Sequence, residues 1–143
     1  MKNKFLFFVA IATFCLLSLQ GFGQKTIWGG KGHVSFSSAQ VVKGASLKID
    51  YLVSESRGTG TADFRCEVTT PDGVIFIAKK SSTTWENGTA KATFNCPSSF
   101  RGNDDVKLST NTPGNYLVQC YWYIDGYGVN GKVAAGSGVF IVK

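Results

Sequence analysis

The chain has 143 residues, 43% of them hydrophobic and 17% charged, with 15 Lys+Arg against 9 Asp+Glu. This composition excludes a disordered segment, and the length suits one domain of roughly 100–150 residues with its own core. Its cations stand singly except Lys79-Lys80, and Lys2 and Lys4 precede the folded part, so the mild positive charge reads as solvated surface more than as a dedicated nucleic-acid or anionic-membrane patch.

The first predicted element is a leader. Met1-Lys2-Asn3-Lys4 gives a positive start, Phe5 to Leu19 an apolar run, and Gly21 and Gly23 place small residues at −3 and −1 of a cut after Gly23. That pattern is a secretory signal peptide over 1–23, with one domain over 24–143. The run is shorter than the roughly 20 residues that span a bilayer, so no integral membrane segment is expected after cleavage. Cys15, behind Phe14 in the middle of the run, is an ordinary leader residue. The expected location is extracellular, or periplasmic or cell-surface in a bacterium.

Turn residues then punctuate the chain, and between them lie short runs that alternate in polarity, the mark of half-buried strands. The first covers about Lys31–Ser37 with Val34 and Phe36 inward. A second, Ser46–Val53, alternates Leu47, Ile49 and Tyr51 with Lys48, Asp50 and Leu52. In the third, Ala62–Thr69, Phe64, Cys66 and Val68 face one way and Arg65 and Glu67 the other. Pro71-Asp72-Gly73 turns into a fourth strand over Val74–Lys79, and Asn87-Gly88 opens a fifth over Thr89–Cys96.

Pro97–Thr112 reads as a long irregular stretch, with an extra edge strand through Val106–Ser109 as the alternative. The sixth strand, Asn115–Ile124, puts Tyr116, Val118, Cys120 and Trp122 inward and Leu117, Gln119, Tyr121 and Tyr123 outward; Ser137–Val142 closes the domain. About seven strands and no amphipathic helix predict an all-β fold, a single antiparallel sandwich.

Thr112-Pro113-Gly114-Asn115-Tyr116-Leu117-Val118 resembles the approach to the sixth strand of immunoglobulin-like domains, and Gly88-Thr89-Ala90-Lys91-Ala92-Thr93-Phe94 resembles the strand before it in bacterial and macroglobulin-type members. The resemblance implies an immunoglobulin-like β-sandwich in which the Tyr116 hydroxyl bonds back to the corner. Unlike a true immunoglobulin domain, the second strand has no cysteine, and Phe64 stands where the third would carry tryptophan. Cys96-Pro97 and Pro113-Gly114-Asn115-Tyr116 also resemble features of secreted lipid-binding sandwiches of the MD-2-related type, but the framing cysteines of that family are absent.

Cys66, Cys96 and Cys120 allow one disulfide and leave one thiol. Cys66 with Cys120 is the expected pair because both face inward. Cys96, beside Pro97 at a strand end, is expected to be exposed and free to bond another chain.

For chemistry the sequence offers little. His33 is the single histidine and has no nucleophile context, and no Cys-x-x-Cys or His-Glu-x-x-His run supplies metal ligands. Asp50, Asp63 and Glu67 read as outward solvated charges, and Asp104-Asp105 alone cannot complete a calcium shell. No cofactor, metal or enzymatic activity is expected.

The aromatic run Tyr121-Trp122-Tyr123-Ile124-Asp125-Gly126-Tyr127 gives the candidate contact surface: Tyr121, Tyr123, Asp125 and Tyr127. The plainer reading is that such tyrosines pair across strands and stabilise a sheet face. Asn87-Gly88-Thr89 is a glycosylation acceptor in a eukaryotic host. The expected function is a secreted, non-catalytic binding or structural module for an extracellular protein or carbohydrate, with a lipid carrier and a small basic effector or toxin as alternatives.

Overall fold

Alternating sequences bury alternate residues only if something covers that side, and here two sheets cover each other. A computed structural model describes residues 30–56, 60–85, 88–124 and 131–143, without the side chains of 60–62, 81–85, 123–124 and 131. The leader, Asn87, Asp125 and Tyr127 lie outside the described residues, as does the side chain of Tyr123.

The strands are β1 (Lys31–Phe36), β2 (Gln40–Val41), β3 (Leu47–Ser54), β4 (Gly60–Thr69), β5 (Ile75–Trp85), β6 (Ala90–Cys96), β7 (Gly114–Ile124) and β8 (Gly131–Val142). One sheet has the order β1-β3-β6 and the other β2-β8-β7-β4-β5. The described residues therefore form an all-β sandwich of eight strands. All pairs are antiparallel except the two-residue β2, which runs parallel to β8.

The inner faces follow the sequence pattern. Ile49, Tyr51 and Val53 of β3 are 0% exposed, and so are Phe64, Cys66 and Val68 of β4. Tyr116, Val118, Cys120 and Trp122 of β7 are buried, as expected from their alternation. Rings interlock across the layers: Tyr51 meets Phe64 edge-on at 5.3 Å between centroids, and Tyr116 stacks on Phe140 at 4.9 Å. Burying a side chain of this size contributes roughly 1.5–3 kcal/mol, so this aromatic layer carries much of the stability.

Tyr116 also makes the expected corner bond, its Oη donating to the Thr112 carbonyl at 2.7 Å. That bond holds the turn that delivers β7, and burial raises the Tyr116 phenol above its ordinary pKa.

Two strands run further than their alternation does. β5 continues through Lys80–Trp85 and stays paired with β4 as far as Gly60, past a register shift between Ala62 and Phe64. β8 begins at Gly131, ahead of the small residues Ala134, Ala135 and Gly136.

A second shift lies between Cys120 and Trp122. Cys120 pairs with Gly136 and Trp122 with Val133, so Tyr121 faces two residues, Ala134 and Ala135. This is a β-bulge, with Ala134 at a φ of 50°. It drives the β8 backbone inward against Gly32 of β1, where an added Cβ would stand 1.9 Å from the Ala134 carbonyl oxygen. The buried Tyr51 Oη donates to that same oxygen at 2.6 Å.

The stretch after β6 is a folded-back loop. Phe100 is 0% exposed and Leu108 is buried; the Phe100 ring sits 6.4 Å from Phe94. Backbone bonds join Ile77 N to Arg101 O at 2.8 Å and Arg101 N to Ile77 O at 3.0 Å. The alternative edge strand is reduced to a single bridge between Arg101 and Lys107. Asp104 and Asp105 are exposed in a short turn, and Asp105 pairs with Arg101 at 3.5 Å.

Candidate functional site: the outer face of the five-stranded sheet

Strand register sets side chains in rows across the outer face. Ile75, Thr69, Leu117 and Val139 are successive partners along β5, β4, β7 and β8. Of these, Ile75, Leu117 and Val139 are 52%, 53% and 45% exposed, an apolar row open to solvent. The next row is Ile77, Glu67, Gln119 and Ser137, and beyond it Arg65 stands opposite Tyr121. Between the first two rows lies a shallow groove of about 340 Å³ bordered by Glu67, Thr69, Leu117, Gln119, Ser137 and Val139.

Tyr121 points to this outer face, as its alternation requires, but it is not available as a contact residue. It is only 3% exposed. Its Oη donates to Glu67 Oε1 at 2.9 Å, and Lys132 Nζ lies over its ring at 4.9 Å from the centroid. Lys132 Nζ also donates to Glu67 Oε2 at 2.8 Å and to Gln119 Oε1 at 2.7 Å. Burial, with the Glu67 carboxylate beside it, pushes the Tyr121 phenol up to about 12. Opposite the ring the bulge presents only small residues, so long side chains from β4 and β8 close over it. The expectation of an exposed Tyr121 is therefore corrected: its hydroxyl and ring both anchor a polar lattice.

Glu67 was expected to be merely solvated. In the fold its side chain is 19% exposed and accepts from both Tyr121 and Lys132. An ion pair at this exposure contributes little by itself, about 0–1 kcal/mol, and its main effect is to fix the geometry of the face. The sequence holds no signal for Lys132 in this role, because its strand begins without alternation.

The three cysteines among the described residues are all buried. Cys66 and Cys120 oppose each other across β4 and β7, and the Cys120 thiol donates to Cys66 Sγ at 2.9 Å. Both are free thiols here. Cys96 is 1% exposed, and burial pushes its thiol up to about 12. The expectation that Cys96 is exposed and free to bond another chain is thus corrected: the loop bearing Phe100 and Leu108 folds back at the end of β6.

His33 is exposed on β1 opposite Leu52. Among the described residues no group of three or more His, Cys, Asp or Glu side chains is placed to hold a metal ion. Among the same residues no helix is long and apolar enough to cross a membrane.

No family model and no curated protein matches this sequence. The structure is similar to part of the alkylpurine DNA glycosylase AlkC of Pseudomonas fluorescens, solved bound to DNA containing an abasic site analog. That likeness has a TM-score of 0.52 at 11% identity and covers 81% of this chain and 31% of AlkC. Similarity also extends to a β-glucosidase of Erythrobacter marinus, with a TM-score of 0.48, 13% identity and coverage of 82% and 15%. A β-glucosidase of Listeria innocua gives 0.45, 16% identity and coverage of 80% and 16%. The chain thus spans less than a third of each of these proteins, and at such identity the likeness to AlkC concerns the fold alone.

Proposed function

We propose that this chain is an exported, immunoglobulin-like binding module without catalytic activity, which engages an extracellular protein through the outer face of its five-stranded sheet. The observation that carries the reading is the open apolar row of Ile75, Leu117 and Val139, set beside the ordered Tyr121–Glu67–Lys132 lattice. Exposed apolar side chains aligned in one row and rimmed by polar groups suit a protein partner.

A sugar ring stacks on an uncovered aromatic face, and Tyr121, among the described side chains, offers none because the Lys132 ammonium lies over its ring. The immunoglobulin-like assignment draws on the partition of β3 and β6 into one sheet and β4, β7 and β8 into the other, together with the Tyr116 corner bond. Export draws on the leader alone, and the mass of the chain recovered outside the cytoplasm would begin at Gln24. The lipid-carrier alternative gains no support from an interior filled by Trp122, Tyr51, Tyr116, Phe64 and Phe140.

The test is the double variant Leu117→Glu plus Val139→Glu, titrated as purified full chain against extracellular proteins of its own source. Charging two central side chains of an interface is expected to weaken capture about tenfold or more while the thermal midpoint stays put. Unchanged capture by the folded variant would overturn the proposal.

A further inference from the structure

Two thiols meet in register at the centre of this fold. Cys66 and Cys120 are directly opposed across β4 and β7, both are 0% exposed, and their sulfurs are 2.9 Å apart. Directly opposed antiparallel residues hold their Cα atoms about 4.5–5.5 Å apart, inside the roughly 4.4–6.8 Å that a disulfide bridges. Closing the sulfurs to the bonded distance of about 2.0 Å therefore asks for side-chain rotation and not for movement of the strands. Cys96 sits in the other sheet, in register with Leu47.

We propose that Cys66 and Cys120 become an intrachain disulfide while the chain is still folding, that Cys96 is the thiol left over, and that closure of the sandwich then seals the bond from reductants. The oxidant belongs to the class of disulfides, whether a protein or a small molecule. One cysteine thiolate attacks a sulfur of the oxidant and expels its first thiolate, leaving a mixed disulfide. The second cysteine thiolate attacks the cysteine sulfur of that mixed disulfide and expels the other. Two electrons pass to the oxidant, and the two cysteine protons end on its two released thiols.

Timing follows from burial. Exchange requires an incoming sulfur to line up with the pair, and neither sulfur presents any surface once the sheets have packed. Burial also holds the Cys66 proton firmly in the folded state. The pair therefore forms before the three-stranded sheet docks, and reduction afterwards requires the sandwich to open. The proposal rests on export only for a compartment where such oxidants are present. Its test uses glutathione in vitro, so it succeeds or fails apart from the export and binding readings.

The full chain carrying Cys15→Ala, which leaves three thiols, is reduced and unfolded in denaturant, refolded by dilution into mixed oxidised and reduced glutathione, then unfolded again, alkylated and mapped without reduction. A linked Cys66–Cys120 peptide, a single alkylated thiol at Cys96 and a loss of two hydrogens in mass are expected. The Cys96→Ala variant should give the same link and no free thiol. Oxidised glutathione added to the already folded, reduced chain should form that link at least about 100-fold more slowly than during refolding. Three alkylatable thiols after oxidative refolding, a link through Cys96, or equally fast oxidation of the folded chain would each overturn the proposal.

Discussion

Adding one methyl group at Gly32 should damage this protein far more than a surface glycine substitution normally does. A Cβ at Gly32 would meet the Ala134 carbonyl oxygen at 1.9 Å and backbone atoms of Ala135 and Gly136 at 2.8 Å. None of these is the movable tip of a side chain, so β1 must lift away from the β8 bulge. Overpacking of this kind costs about 1–3 kcal/mol. Because β3 is paired with β1, the shift also pulls on the part-buried bond from Tyr51 Oη to Ala134 O, and losing it costs about 1–3 kcal/mol more. The combined loss, about 2–6 kcal/mol, is a large share of the roughly 5–15 kcal/mol that stabilises a typical domain.

Urea unfolding followed by tryptophan fluorescence measures it, with two reference variants. Gly73→Ala has nothing within 4 Å of its Cβ and only a φ of 83° to strain it, so it should lose about 1–2 kcal/mol. Tyr51→Phe removes the hydroxyl alone and should fall between the two. If Gly32→Ala lost no more than Gly73→Ala, the close approach of β1 and β8 would be refuted.

Three further outcomes are expected. Phe100→Ala should cost about 3–5 kcal/mol in the same unfolding experiment, because that ring plugs the end of the core; a loss below about 1 kcal/mol would show that the loop packs elsewhere. Tyr121 is raised from an ordinary 10.0 to about 12 in the fold, so its stabilising contribution is intact below pH 10 and is lost as pH rises towards 12. Tyr121→Phe should make the alkaline decline in stability shallower without abolishing it, because Tyr51 and Tyr116 are raised as well. Cys96 should resist alkylation at pH 8 in the native chain and react at once in denaturant; fast native labelling would contradict its burial.

Much of the sandwich is legible in the sequence because β3, β4, β6 and β7 as far as Cys120 bury alternate residues, and alternation survives only where one side is covered. The second half of β5 is polar on both sides up to its final Trp85, and the first half of β8 sets Lys132 and Val133 among small residues, so neither carries a period to read. Their pairing comes from the backbone continuing a ladder that their neighbours begin.

Tyr121 shows the same limit at the level of the site. Alternation gives the direction of its side chain, but what covers the ring depends on Glu67 and Lys132, which are 65 residues apart and meet only through strand pairing across a bulge. Cys96 is a similar case. Its place beside Pro97 suggests an open strand end, whereas the burial of Phe100 and Leu108 shows the following loop turned back on the core. The apolar row of Ile75, Leu117 and Val139 cannot be seen in the sequence at all, since its members come from three strands aligned by register alone.

That row is the centre of the functional account, and site-specific photocrosslinking tests it most directly. A crosslinking side chain placed at Leu117 or at Val139 should yield a discrete adduct with an extracellular protein, competed away by unlabelled chain. The same group at Leu52, 41% exposed in the other sheet, should yield none. Adducts of equal strength from Leu52, or none from Leu117 and Val139, would contradict the assignment of the five-stranded face as the binding surface.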